Sequence, residues 1–282
     1  MSGNPLKIIA SLVLYRHSYS DIAPTLNALL LEKSIDKVCI VDNGGHCDWI
    51  KTLNHNKIDI IILPVNRGFG AGHNESFLRF KNQSNFILIC NPDISFSQGE
   101  IDKLYNYSLE SNLALAIPKV VYPDGTLQHG CKLLPTPSQL FMRRFLYRIS
   151  QKKNALYELH HADYSRPFFA PSLSGCFILI SNEALREIKG FDERFFLYLE
   201  DVDLSRRVCS TGLGVRYCPC ATVVHESQRR SYTNLKFLFL HINSAIRYFN
   251  KWGWFRDAER DLLNARCITE TSDCGTDLIR KK

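Results

Sequence analysis

Up to Cys90 the chain alternates short apolar runs with amphipathic stretches, and this alternation narrows the possible folds more than any other feature. The runs Lys7–Tyr15, Lys37–Asp42, Asp59–Val65 and Asn85–Cys90 have strand length and are rich in Ile, Val and Leu. Between the first two, Ser20 or Asp21 can cap a helix with Pro24 in its first turn and Leu26, Leu29 and Leu30 on its inner face. Further helices are expected over Gly72–Phe80 and over Ser97–Ser111, the latter led by Glu100 and Asp102. Strands that alternate with helices build β-α-β units, so the expected class is α/β, with a mostly parallel central sheet flanked by helices.

The middle of the chain is less regular. Ala114–Tyr122 and Thr126–Leu133 read as strands around the turn Pro123-Asp124-Gly125, and Ser138–Lys153 reads as one basic amphipathic helix. In that helix Leu140, Phe141, Phe145, Leu146 and Ile149 are interleaved with Arg143, Arg144, Arg148, Lys152 and Lys153. A loop over Ala162–Ser172 precedes a strand at Gly175–Ile180 and a helix at Glu183–Ile188 that Gly190 ends. Gly214–His225 is a further strand and Asn234–Asn250 an aromatic-rich helix. The polar tail from Ile268 is expected to be loose, giving one domain over residues 1–255 and a helical or loose extension over 256–282.

Composition excludes several classes. With 282 residues, 45% of them hydrophobic, the chain can bury a full core, and no apolar run approaches the ~18 residues of a membrane span. The ten cysteines are scattered without a C-x-x-C pair, which fits reduced thiols in a cytoplasmic protein better than a disulfide framework. A net charge of +7 favours anionic partners. Zinc-finger spacing, RNP aromatics and basic-region heptads are missing, so nucleic acid is not an expected partner.

Carboxylates stand where apolar runs stop. Asp93, in Asn91-Pro92-Asp93, delivers a hard oxygen ligand to the sheet edge, where open α/β folds keep their ligands. Asp42-Asn43 closes the second strand and offers acceptors for a nucleoside. Asn66-Arg67-Gly68-Phe69-Gly70-Ala71-Gly72-His73-Asn74 opens a helix whose backbone amides can face a phosphate, although its glycine spacing is not the dinucleotide fingerprint. In Glu200-Asp201-Val202-Asp203, residues two apart point to opposite sides of a helix. Asp203 can pair with Arg207, which leaves Asp201 or Glu200 to face a cleft, and Asp201 is the preferred base. His225 at a strand end, followed by Arg229 and Arg230, can ligate a cation while the arginines hold phosphate.

Taken in order, these segments resemble the family 2 glycosyltransferases, and among them the bacterial rhamnosyltransferases of O-antigen type. The matching stretches are Val41-Asp42-Asn43, Asn66 to Asn74, Asn91-Pro92-Asp93, Ser174-Gly175-Cys176-Phe177, Gly190 to Asp203 and His225, spread over Lys7 to Trp254. The resemblance implies a GT-A fold, a nucleotide-sugar donor and inversion at the anomeric carbon. It implies donor contacts from Asp42, Asn43, Asn66, Gly68, Gly70, Asn74, Arg229 and Arg230, a Mg²⁺ or Mn²⁺ ion held by Asp93 and His225, and Asp201 as catalytic base. Many relatives carry Asp-x-Asp at the cation station, whereas this chain has a single carboxylate there. The donor so implied is dTDP-L-rhamnose and the acceptor a polyprenyl-diphosphate-linked saccharide, met by a protein peripheral to the anionic cytoplasmic face of the inner membrane. Other donors (galactofuranose, glucose, galactose), a sugar-nucleotide pyrophosphorylase and a non-catalytic nucleotide-sugar-binding module are the alternatives.

Overall fold

The computed structural model describes residues 6–146, 150–226 and 235–272. Strands β1 (Leu6–Leu14), β2 (Ile35–Asn43), β3 (Ile58–Leu63) and β4 (Ser84–Cys90) alternate with helices α1 (Tyr19–Leu31) and α2 (Phe69–Arg79). These strands pair in parallel in the order β3-β2-β1-β4. After a two-residue strand β5 (Ile94–Ser95), helix α3 (Glu100–Glu110) leads to β6 (Leu113–Val121). The sheet is completed by β9 (Phe177–Ser181), antiparallel between β4 and β6, and by β10 (Gly214–His225), parallel to β6. β5 then pairs with the far end of β10. The eight-stranded sheet is therefore mixed, with a parallel half that carries the expected β-α-β pattern.

A second, two-stranded sheet joins β7 (Cys131–Lys132) to β8 (Ser172–Leu173). The remaining helices are α4 (Pro137–Phe145), α5 (Gln151–Tyr157), α6 (Asn182–Ile188), α7 (Glu200–Ser210), α8 (Leu235–Trp252) and α9 (Ala258–Ser272). Alternate strand residues face opposite ways, and the core accordingly divides in two. Ile8, Ala10, Leu12 and Leu14 of β1 pack with Ile22, Leu26 and Leu29 of α1 and with Ile101 and Leu104 of α3. On the other face Ile9 shares a cluster with Phe77 of α2, Val202 and Leu204 of α7, Tyr248 of α8 and Leu263 of α9. Each such buried aliphatic side chain contributes about 1.5–3 kcal/mol relative to exposure. Among the described residues no helix is long and apolar enough to cross a membrane.

Local chemistry shifts several expected boundaries. Helix α1 starts earlier because Ser18 is its cap: the Ser18 hydroxyl accepts from the Asp21 N–H while the Asp21 carboxylate accepts from the Ser18 N–H. The single basic helix expected over Ser138–Lys153 is two helices instead. Helix α4 stops at Phe145, Leu146 leaves the helical conformation, and α5 starts at Gln151 after Ser150; Arg148 lies outside the described residues. Of the strand expected over Thr126–Leu133 only Cys131–Lys132 pairs as a strand, together with a bridge from Leu127 to Val121. The tail is ordered further than its polarity suggests. Helix α9 continues past Ile268 to Ser272 because Cys267 and Thr271 are buried and Glu270 meets both Arg216 and the Phe169 N–H.

Arg206 fastens α7 to α8 and α9. Its guanidinium is buried, forms two bonds to Asp257 at 2.6 and 2.7 Å, reaches Glu259 at 2.9 Å and lies 4.0 Å over the Trp252 ring. Although burial opposes ionisation of Asp257, Arg206 holds its carboxyl below the usual range. Arg206→Met is expected to cost about 3–5 kcal/mol, because it strands a buried carboxylate. Glu259 is partly exposed, so Glu259→Gln should cost less than about 1 kcal/mol. Urea unfolding measures both, and equal midpoints for the two variants would contradict this reading.

Candidate active site

The C-terminal ends of β1, β2, β4 and β10 bring the candidate residues to one edge of the sheet. Asp42 is buried, and its carboxylate accepts the N–H groups of His46 at 3.2 Å and Cys47 at 2.8 Å, closing the turn after β2. Asn43, also buried, accepts from the Arg67 N–H at 2.9 Å and donates to the Gly68 carbonyl at 2.8 Å. The Asn66 side chain accepts from the Gly68 N–H, and the Phe69 N–H donates to the Phe196 carbonyl. Three amides that the sequence offered to a phosphate thus have partners inside the chain.

The glycines of this motif serve close packing. Gly68 has φ +98°, and a Cβ there would lie 2.4 Å from the Phe196 oxygen; one on Gly70 would lie 2.8 Å from Phe191 Cβ. Asn74 spends its amide on the same neighbour, accepting from the Phe191 N–H at 2.8 Å and donating to the Phe191 carbonyl at 3.0 Å. The segment from Asn66 to Asn74 is therefore a latch that seats the loop running from Gly190 to Phe196 against the turn after β2.

Asp93 and His225 meet, as their strand-end positions suggest. Asp93 Oδ1 lies 3.3 Å from His225 Nε2, and His225 Nδ1 is 2.7 Å from Gln128 Oε1. Burial disfavours both charges, yet the pair stabilises itself: contact with His225 holds the Asp93 carboxyl below its usual value, and Asp93 and Cys176 raise His225 to about 10. Among the described residues no group of three or more His, Cys, Asp and Glu side chains is arranged to hold a metal alone. One carboxylate and one imidazole do fit a hard cation whose remaining ligands come from phosphate and water, and apart from that 3.3 Å pairing with His225 the buried Asp93 Oδ1 accepts no hydrogen bond. Arg229 and Arg230 lie outside the described residues.

The three acids of α7 have separate fates. Asp203 is fully buried and pairs with Arg207 at 2.7 Å, as its spacing predicts, and also with Lys251 and the Trp252 indole. Glu200 is buried, and burial followed by the charge of Asp201 pushes its carboxyl well above the usual range. Asp201 remains, its oxygens fixed by the Gly175 N–H and the Val202 N–H, both at 2.9 Å. It lines a cavity of about 260 Å³ together with Lys132, Arg143, Arg144, Tyr198 and His241. Tyr198 and Leu199, immediately before, have φ of +72° and +63°. For side chains other than glycine that conformation costs on the order of 1–3 kcal/mol each, and such strain gathers at functional sites.

The two acidic stations share a single connector. In the link from β8 to β9, the Gly175 N–H holds Asp201 while the Cys176 carbonyl accepts from the Asn91 N–H beside Asp93. Sequence reasoning missed Lys132 and Gln128. A lone charge in Cys131-Lys132-Leu133-Leu134 was a readable signal for the first, but nothing local marks Gln128 as a partner of His225.

Solved structures share this architecture. The fold superposes on GalNAc-T7 with UDP, GalNAc and Mn²⁺ at a TM-score of 0.59 and 12% identity, over 79% of this chain and 44% of that one. It superposes on residues 1–349 of TarS from S. aureus at 0.58 and 13%, over 94% and 71%. The fold is accordingly of the GT-A type. In sequence the chain is related to rhamnosyl- and hexosyltransferases. It is 26% identical over 203 residues to an N-acetylglucosaminyl-diphospho-decaprenol L-rhamnosyltransferase of Mycobacterium tuberculosis, covering 67% of this chain and 66% of the relative. It is 22% identical over 218 residues to the low-salt glycan biosynthesis hexosyltransferase Agl10 of Haloferax volcanii (73% and 66%), and 24% over 249 to rhamnosyltransferase WbbL of Escherichia coli K12 (74% and 90%). The chain thus spans about two thirds of the length of the first two. No family model matches it.

The latch makes a stability prediction. Asn74→Ala leaves the buried N–H and C=O of Phe191 without partners and should cost about 2–4 kcal/mol, since each orphaned group costs roughly 1–3. Guanidinium unfolding reads it out; a loss below ~0.5 kcal/mol would show that Asn74 does not hold the loop.

Proposed function

We propose that the chain is an inverting glycosyltransferase that moves a sugar from a nucleotide-sugar donor to the hydroxyl of a saccharide acceptor. The observation that carries this reading is Asp201: of the three acids of α7 it is the partly exposed one on the cavity wall, since Asp203 is spent on Arg207, Lys251 and Trp252, and Glu200, which also lines the cavity, is buried with its carboxyl pushed well above the usual range. Each Asp201 oxygen accepts one backbone N–H and keeps a second lone pair, so the carboxylate is fixed in place and still able to take a proton.

The acceptor oxygen attacks the anomeric carbon as Asp201 removes its proton. The bond from that carbon to the diphosphate breaks on the opposite side, and the nucleoside diphosphate departs with the electron pair. A single base suffices for one displacement with inversion, in contrast to the two carboxylates of a glycosidase. Asp93 and His225 would hold Mg²⁺ or Mn²⁺, which supplies positive charge to the leaving diphosphate. The likeness to a structure that contains Mn²⁺ agrees with this assignment.

The donor we propose is dTDP-L-rhamnose, because two of the relatives are named as rhamnosyltransferases. The acceptor we propose is a polyprenyl-diphosphate-linked saccharide, as the name of the mycobacterial relative suggests, reached from the cytoplasmic face of an anionic membrane. A hexose donor is the second reading, and the relation to Agl10 favours it. On the donor side, Asp42, Asn43 and the latch from Asn66 to Asn74 would shape the nucleotide pocket through the turns they hold, with Arg229 and Arg230 as diphosphate contacts.

Asp201→Asn should retain donor binding and lower transfer ~10²–10⁴-fold, the usual range for loss of a general base. Near-normal transfer by the folded variant would remove Asp201 from its role. Excess EDTA should abolish transfer by the wild-type protein, and Asp93→Ala should lose donor affinity even with Mn²⁺ restored. Full activity in EDTA would overturn the cation assignment while leaving that of Asp201 intact.

A further inference from the structure

The cavity beside Asp201 has a charge balance that transfer to a neutral hydroxyl does not explain. Its cations come from two elements: Lys132 of β7, and Arg143 and Arg144 of α4. Arg143 is paired with Glu158 at 2.7 Å, but the Lys132 ammonium has no direct hydrogen bond or ion pair among the described residues. Burial, then the charge of Arg143, presses the Lys132 pKa below the usual lysine value, against the weaker opposing charges of Asp201 and Glu158. The facing groups do not balance it. Burial and then Arg143, Arg144 and Lys132 lower His241 to about 4, so its ring is neutral, and burial followed by Asp201 pushes the Glu200 carboxyl well above its usual range. Asp201 and Glu158 bring the negative charge, and both have partners already: Glu158 is paired with Arg143, and the Gly175 and Val202 N–H groups bind Asp201.

A second feature adjoins the cavity. Leu238 and His241 of α8 form part of its wall. Next to them on the same helix Leu235, Phe239, Ile242 and Ile246 are 83%, 70%, 42% and 43% exposed. Their spacing of four, three and four places them on one stripe, and Leu238 precedes Phe239 and lies one turn before Ile242, so the stripe runs from the cavity rim. The opposite face of α8 is the one that enters the core, through Ser244, Tyr248 and Phe249. An anion-seeking pocket that opens onto an apolar stripe matches an amphiphile with a charged head and a hydrocarbon tail.

We propose that the cavity between α4 and α8 takes the phosphate group of an isoprenoid-type phospholipid acceptor, bound by Lys132 and Arg144, while its hydrocarbon chain lies along Leu235, Phe239, Ile242 and Ile246. This rests on the glycosyltransferase reading for the word acceptor, but the binding site stands on its own geometry. It gives Lys132 a direct ion-pair partner, which none of the described residues supplies, and it sets the acceptor's sugar next to the base.

The test measures binding of farnesyl diphosphate, inorganic pyrophosphate and glucuronate to the full chain by calorimetry, in EDTA so that cation-dependent diphosphate binding at Asp93 is suppressed. Farnesyl diphosphate should bind at least ~10-fold more tightly than pyrophosphate, the excess coming from buried hydrocarbon. Lys132→Met with Arg144→Gln should weaken both ligands at least ~10-fold, whereas Phe239→Ser with Ile242→Ser should remove only the farnesyl advantage. Circular dichroism melting confirms that the variants are folded. Equal affinity for the two diphosphates overturns the lipid half, and binding of glucuronate in their place makes the acceptor an acidic sugar. Wild-type affinity in the charge variant overturns the cavity assignment. A dimer in sedimentation equilibrium that the stripe variant dissociates, with farnesyl binding unchanged, makes the stripe a contact between copies. A chain that binds farnesyl diphosphate through these residues yet transfers no sugar would overturn the glycosyltransferase reading and keep the lipid site.

Discussion

The site depends on one short connector. Between β8 and β9, the Gly175 N–H fixes the Asp201 carboxylate, and one residue later the Cys176 carbonyl receives the Asn91 N–H beside Asp93. Two acids more than a hundred residues apart in sequence are thereby set against the same few backbone atoms. The close fit is steric as well as polar, since a Cβ on Gly175 would lie 3.0 Å from the Asp201 Cβ. Ser174 continues the connection, its N–H donating to the Gly130 carbonyl and so tying in the short strand that carries Lys132.

Around this connector the fold spends stability on position. Tyr198 and Leu199 are held with positive φ just before Asp201, and the loop that precedes them is clamped at two places by the motif from Asn66 to Asn74. A strained segment persists only where its surroundings over-determine it, and here Asn74, Gly68 and Gly70 supply that determination. On the far side of α7, the buried Arg206 with Asp257 anchors the same helix to α8 and α9. Asp201 is thus mounted on a helix secured at both ends, which suits the role proposed for it, that of a group meeting a reacting hydroxyl within a few tenths of an ångström.

Much of this was legible in the chain itself, because the signals were local. Apolar runs of strand length predicted β1 to β4, and the i,i+4 pairing of Asp203 with Arg207 followed from helix geometry. The illegible parts depend on contacts distant in sequence. The glycines at 68, 70 and 72 look like a phosphate loop, yet they are small because Phe196, Phe191 and Val13 approach them. The continuous basic periodicity of Ser138 to Lys153 hides a break between Phe145 and Gln151, and the polar composition after Ile268 hides a helix held by Cys267, Glu270 and Thr271. Antiparallel insertion of β9 between β4 and β6 also has no sequence signature, since its apolar run reads the same in either direction.

The central claim is that these two stations form a single transfer site that displaces a nucleoside diphosphate in one step. The most direct measurement is the nuclear magnetic resonance spectrum of the product made from dTDP-β-L-rhamnose and a prenyl-diphosphate-linked saccharide. An α-L-rhamnosyl linkage, inverted relative to the donor, is the predicted result. A β-linked product, or release of a nucleoside monophosphate instead of the diphosphate, would contradict it.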